Sequence, residues 1–294
     1  MSPTQHRVVV VLGLGVAAAG VAVPAAMGIT LHATGLAEAA LGSALLVGCS
    51  ALALNGSRMA PLPAKHAVPA VLATTAANAA TPAGIGGTLL MLRLHKRSGL
   101  STEQASAAAA LRSGFAALAA TLAAVLATSL VGAAALPSPR LALIALGVLA
   151  SLLTVGLTVP AVRARIGGAV HRTSHAFVSV LRHPRCLVSL LVGCVGVTVA
   201  QVITLQGAVH AVGGHLAWTN LLAALVGSAA ARSAVPSPGG VGPIEAALVG
   251  GLTATGLGLG PASAAVAIYR TAGHWLPVVA GVLSVGMLRR RHLL

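Results

Sequence analysis

An all-α fold is predicted for this chain: a polytopic integral membrane protein with about six full transmembrane helices plus two broken, re-entrant helical hairpins arranged as an inverted repeat. Three observations predict it. Hydrophobic residues fill 57% of the 294 positions and charged residues only 7%, whereas a soluble domain carries roughly a quarter charged residues. The cations gather in short clusters between long apolar runs, the pattern expected of cytoplasmic loops. Two of the apolar runs are interrupted by proline and glycine, and proline removes a backbone donor and clashes with the preceding helical turn. Mean hydropathy is +0.95. At roughly twenty residues per span the length leaves room for about six to eight spans and for no separate soluble domain. Residues 1–294 are therefore one transmembrane domain, with 1–139 as the first repeat half and 140–294 as the second.

The spans follow in order. Val8 to Ile29 is the first; His6 and Arg7 place its start inside, and it is read as a retained helix rather than a cleaved signal peptide. Leu36 to Leu54 is the second and returns to the inside at Arg58 and Lys65. His66 to Arg97 is interrupted at Thr81-Pro82-Ala83-Gly84-Ile85-Gly86-Gly87 and ends in Arg93, His95, Lys96 and Arg97. Two half-helices that dip in and come back to the same side account for it; one kinked full span is the alternative. Glu103 to Ala135 holds the third span, Pro137-Ser138-Pro139 turns outside, and Leu141 to Val162 is the fourth. It leads into the most basic loop, with Arg163, Arg165, Arg172, Arg182 and Arg185. Cys186 to Val209 is the fifth span and His210 to His215 a short external loop. Leu216 to Gly260 is the second interrupted segment, broken from Pro236 to Pro243. Pro261 to Leu288 is the last span, followed inside by Arg289-Arg290-Arg291. This topology places every basic cluster on the inner face. It makes the protein multi-pass in the cell membrane, with both termini cytoplasmic. Trp218 and Trp275 are expected near an interface, and Cys49, Cys186 and Cys194 as small buried hydrophobes.

The charge balance is 18 Lys+Arg against 3 acidic residues. A pI of about 12.0 occurs in nucleic-acid-binding proteins, but in a membrane chain the same excess meets anionic lipid. Membrane lipids with an anionic headgroup are the expected partners and nucleic acid is not; self-association or a membrane partner stays open. No cofactor and no metal are expected. His171 and His175 are four apart, but solvated histidines of a basic loop explain them.

The two interrupted segments align. Pro82, Gly84 and Gly86 match Pro238, Gly240 and Gly242 at an offset of 156 residues, and Arg112 matches Arg270 at 158. Inverted repeats with broken helices near the midplane are a transporter signature. Each arginine lies nine residues past Glu103 or Pro261, or roughly 13 Å along its helix, and an unpaired arginine at that depth costs at least about 2.5–3.5 kcal/mol. A partner or a wet cavity is therefore required. Glu245 is the expected partner of Arg270. Arg112 is left without a nearby carboxylate other than Glu103, so the site keeps surplus positive charge suited to a phosphate headgroup. Half-helix N-termini after Gly86 and Pro243 could add backbone donors. Arg232, six residues before Pro238, either lines this cavity or snorkels to the outer interface.

Pro236-Ser237-Pro238-Gly239-Gly240-Val241-Gly242-Pro243-Ile244-Glu245-Ala246-Ala247, then Gly256, then Ala267-Ile268-Tyr269-Arg270, resembles the flippase-like family, also called the lysylphosphatidylglycerol synthase transmembrane region. The resemblance covers nearly the whole chain and is strongest from Ser228 to Pro277. In larger relatives this region precedes a cytoplasmic aminoacyl-transferase domain and is thought to move an aminoacylated phospholipid between leaflets. With the sequence ending at Leu294, the resemblance implies a stand-alone membrane region. Pro238, Gly239, Gly240, Gly242, Glu245 and Arg270 match the family motif, and Arg112 matches its first-half arginine. The sequence departs from the family at Gly86-Gly87-Thr88, which is neutral, and at Leu111, where an acidic residue is common.

A lipid flippase or translocase, not an enzyme, is the function these features imply. The alternatives are an integral-membrane enzyme acting on a lipid-linked substrate and a non-transporting membrane subunit. The enzyme alternative needs paired carboxylates or a carboxylate-held metal, which a chain with no aspartate and three scattered glutamates can hardly supply.

Overall fold

The computed structural model describes residues 24–81, 85–131, 178–180, 182–234 and 241–290, with isolated positions at 15 and 22. The regular elements among them are helical: α1 (Ala33–Gly56), α2 (Ala64–Ala79), α3 (Ile85–Arg97), α4 (Thr102–Val131), α5 (Pro184–Ala211), α6 (Trp218–Ala234), α7 (Pro243–Ala254), α8 (Leu259–Arg270), a π turn (Thr271–Trp275) and α9 (Leu276–Arg290). Four runs are long and apolar enough to cross a membrane, Ala33–Gly56, Thr102–Ala127, Pro184–Ala211 and Leu259–Leu288. They correspond to the expected second, third, fifth and last spans. The expected first span lies largely, and the fourth wholly, outside the described residues, as do Pro137 to Pro139, His171 and His175.

The antiparallel pair α1–α5 runs the length of the molecule on small residues. Gly35 faces Ala211, Gly207 faces Ala39, and Gly42 faces Thr204. Further along, Gly196 faces Cys49, Gly193 faces Ala53, and Gly56 faces Leu190. On α1 these positions step by four and three residues, the heptad rhythm that keeps one stripe of a helix against its partner. A Cβ on Gly42 would stand 2.6 Å from the Thr204 amide nitrogen, and one on Gly207 would stand 2.8 Å from the Ala39 Cα, so the backbones themselves are in contact. In lipid this close approach, rather than a hydrophobic force, holds helices together. The seam also repeats itself. Advancing Gly35 by 155 residues gives Leu190, and advancing Gly56 by 155 gives Ala211, so the contact at one end is the counterpart of that at the other.

A helical hairpin attaches at each end of this seam. The first, α2–α3, begins beyond Gly56 and ends at Ser98. Both ends are tied to Arg58, whose Nη2 donates to the Ser98 Oγ (2.9 Å) and whose Nε donates to the Ala60 carbonyl (3.2 Å). This hairpin therefore leaves and returns at the same place. Ala51 and Leu54 of α1, Ala67 to Ala73 of α2, Met91 and Leu94 of α3 and Val285 and Leu288 of α9 form one core around it. The second, α6–α7, folds back on itself with Gly251 against Ala224. Leu257, beyond its last turn, packs on Gly214, before its first. It joins the other end of the seam, where Ala39, Leu205, Val209, Leu221, Leu248 and Ala265 share a core.

Three expectations change. Arg58, read as a loop cation, is 2% exposed and His95 is 1% exposed. Burial lowers the Arg58 pKa, and the guanidinium sits beside the C-terminal ends of α1 and α3, whose carbonyls favour a cation. Trp275 is not at an interface: it is 6% exposed and packs on Ala76, Val278 and Val282, whereas Trp218 is 49% exposed. Of the cysteines only Cys194 is buried; Cys49 and Cys186 are half-buried.

Gly42→Ala is expected to lower stability by about 1–3 kcal/mol, because the added methyl meets backbone that cannot yield. Gly48→Ala, on the same helix with nothing within 4 Å, is expected to be neutral or stabilising, since alanine is the better helix former. Thermal unfolding of the two detergent-solubilised variants against the parent checks both, and equal behaviour would overturn the seam's role.

Candidate functional site

In the second hairpin α7 begins at Pro243, and Gly242 is the residue that caps its start. This glycine adopts φ +97°, in the left-handed region that side chains disfavour. Pro243 then takes the first helical position, where its missing N–H costs nothing. Glu245, in the first turn of α7, reaches back so that its Oε2 accepts the Gly242 N–H at 2.7 Å. Its other oxygen, Oε1, accepts from the Arg270 Nε at 2.6 Å. Both carboxylate oxygens are thus engaged, one capping the resumed helix and one holding the cation of α8. Arg270 is 7% exposed at its side chain and Glu245 32%. The bridge ties the helix after the break to the long helix that follows, and the carboxylate sits at the positive end of α7, where an anion is favoured.

α8 does not pass straight into α9. After Arg270 the chain makes a π turn over Thr271–Trp275, a form common at functional sites. The Ser43 Oγ of α1 donates to the Ala272 carbonyl within that turn at 2.6 Å, so the helix carrying Arg270 is bonded to the central seam.

The first hairpin breaks differently. The Thr81 Oγ1 accepts the Gly86 N–H at 2.8 Å and the Asn78 Oδ1 accepts the Gly87 N–H at 2.9 Å. A Cβ on Gly86 would come within 2.6 Å of the Ala77 carbonyl oxygen, which explains a glycine there. Of the donors expected after Gly86, the Gly87 amide is therefore already engaged. The amides of Gly86, Gly87 and Gly242 are taken by Thr81, Asn78 and Glu245.

Of the residues singled out from the sequence, Glu245, Arg270 and Gly242 come together. Gly86 lies at the first break. Arg112 stands on α4, with the Cys194 thiol and the His95 ring as its electrostatic neighbours. Pro82, Gly84, Pro238, Gly239, Gly240 and the Arg232 side chain lie outside the described residues. Sequence reasoning missed the roles of Asn78, in the last turn of α2, and Thr81, just beyond it, because bonds that reach nine and five residues ahead follow no capping pattern. It also missed the pairing of Glu38 with His210, whose Nδ1 lies 2.7 Å from the carboxylate Oε2. No short-range pattern links residues on two different spans.

A family model described as the lysylphosphatidylglycerol synthase TM region matches residues 8–281. Among curated proteins none matches the chain.

Glu245→Ala is expected to destabilise the protein by about 3 kcal/mol, because Arg270 is left buried without its counter-charge. Glu245→Gln with Arg270→Met should recover most of that loss, since removing both charges avoids the unpaired ion. Thermal unfolding of the single and double variants checks this; a double variant no more stable than the single would refute the ion pair as the cause.

Proposed function

The chain belongs to the lysylphosphatidylglycerol synthase TM region family, and on that premise we propose that it moves an anionic phospholipid, or a lipid-linked anionic headgroup, between the leaflets of the cell membrane. The family and the apolar spans make it a membrane protein related to lipid handling; carriage across the bilayer is the step added here. One observation carries it: each broken hairpin leaves and returns at its own end of the α1–α5 seam, and the two ends are opposite. Hairpins so attached dip into the bilayer from opposite faces, the arrangement of inverted-repeat transporters. The basic residues Arg58, Lys96, Arg97, Arg182 and Arg290 gather where the first hairpin attaches, which supports a cytoplasmic reading of that face.

In this scheme the Glu245–Arg270 bridge is the charged station for the headgroup. The guanidinium supplies the attraction and the carboxylate holds it in place while capping the broken helix. A groove of about 450 Å³ between α1, α2 and the π turn, lined by Leu36, Ala40, Ala44, Leu72, Leu276 and Ala280, is apolar enough to take an acyl chain alongside. Arg112, near Cys194, forms a second cationic station on the side of the first hairpin. No chemistry on the lipid is required of any of these groups.

Vesicles reconstituted with the purified chain and a headgroup-labelled anionic phospholipid test this reading. The labelled lipid should exchange between leaflets at least about tenfold faster than in protein-free vesicles, which corresponds to a barrier lowered by about 1.4 kcal/mol. Glu245→Gln should remove most of that exchange while the protein still inserts; undiminished exchange would refute the bridge's role. Separately, cysteines introduced at Gly84 and Gly240 should react with a membrane-impermeant thiol reagent from opposite sides of the vesicle. Labelling from one side alone would rule out opposed hairpins.

A further inference from the structure

At the end of the seam remote from Arg58, a pocket of about 410 Å³ opens between the start of α1 and the end of α5. Its lining is His32, just ahead of α1, Thr34, Gly35 and Glu38 from α1, His210 from α5, and Gly213 and His215 from the loop beyond. The His210 Nδ1 lies 2.7 Å from the Glu38 Oε2. The His215 ring stands 5.1 Å from the His210 ring, tilted by 48°. The backbone is pinned beside them, with the His32 N–H donating to the Ala211 carbonyl at 2.8 Å. Gly213 adopts φ +75°, so the loop turns sharply enough to bring His215 back over α5. No lysine or arginine lines the pocket, in a chain where cations outnumber acids by 18 to 3. Among the described residues no three His, Cys, Asp or Glu side chains converge as metal ligands.

We propose that this pocket is a proton-gated anion site, binding a phosphate-bearing anion once two of its three imidazoles are protonated. Histidine is the side chain that changes charge between about pH 5 and 8. With all three rings neutral, the lining carries the single negative charge of Glu38 and repels phosphate. The first proton only cancels that charge, and His210 is already oriented on the carboxylate. The second proton makes the pocket cationic and the third doubles the excess. The protons added to His215 and His32 have no second carboxylate to answer them, and His215 lies against His210. A bound phosphate relieves that repulsion. By linkage, protons then favour the anion as much as the anion favours the protons. The site stands apart from the Glu245–Arg270 bridge and does not rest on the transport reading.

Thermal unfolding of the full chain in detergent tests the proposal with two probes, inorganic phosphate and a short-chain phosphatidylglycerol. Each is titrated at about pH 5.5 and about pH 8, either side of the imidazole range. Stabilisation at the acid pH is expected, with apparent affinity falling by at least about tenfold at the alkaline pH as the rings lose their charge. For inorganic phosphate the direction is diagnostic, because it gains negative charge across this range and an ordinary cationic site would bind it more tightly at the alkaline pH; the lipid's phosphodiester keeps one charge throughout, so an ordinary cationic site would bind it equally at both. A response to both probes assigns the site to the phosphate group itself; a response to the lipid alone assigns it to a headgroup with its chains. Combining His32→Gln with His215→Gln should abolish the acid-pH response. A response to neither probe, an equal response at both pH values, or a response that survives the double variant would overturn the proposal. Should the double variant fail to fold, the pH trend of the parent protein decides alone.

Discussion

Two antiparallel helices touching backbone to backbone determine where everything else in this protein stands. α1 and α5 carry glycine, alanine, cysteine and threonine along the facing stripe, and the missing side chains let the main chains close on each other. Such a contact has one register. A slip of one residue would drive the Thr204 side chain or the Ala39 methyl into a neighbouring backbone. Both hairpins attach at the ends of this pair, so the seam sets their separation. The same geometry fixes the helices that carry the charged groups, because α8 packs along α5 and the π turn is bonded to Ser43.

Charge is placed sparingly and each carboxylate stands in a distinct setting. Glu245 serves two partners, an amide and a guanidinium, and so couples a local event, the restart of a broken helix, to a distant one, the seating of Arg270. Glu38 faces an imidazole rather than a permanent cation. Glu103 stands in the first turn of α4, where the helix end favours an acid. Arg58 has helix carbonyl ends in place of a carboxylate, which is how a buried cation is tolerated at a site with no acid to spare.

Much of this was legible in the sequence. The interruptions at Pro82 to Gly86 and Pro236 to Gly242 announced the hairpins, because proline and glycine act locally. The Glu245–Arg270 contact could be anticipated because buried ions need partners and few existed. The seam was hidden in plain view: its heptad of small residues is drawn from a composition so rich in alanine and glycine that no stripe stands out. Arg58 and Trp275 were misjudged because their types, cation and indole, are usual at interfaces, and only the packing of α3 and α9 over them shows otherwise. The Glu38–His210 pair joins positions 172 residues apart, on two different helices, where no spacing rule reaches.

The π turn after Arg270 has a further consequence. A π turn fits five residues where an α-helix uses fewer, which rotates everything beyond it relative to everything before. Ser43 holds that widened loop at the Ala272 carbonyl from α1, one of the two helices of the seam. Any twist that swings Arg270 about its own axis must therefore pivot on this hydroxyl or tear free of it. A single serine hydroxyl thus fastens the first helix of the central pair to the widened turn that follows Arg270.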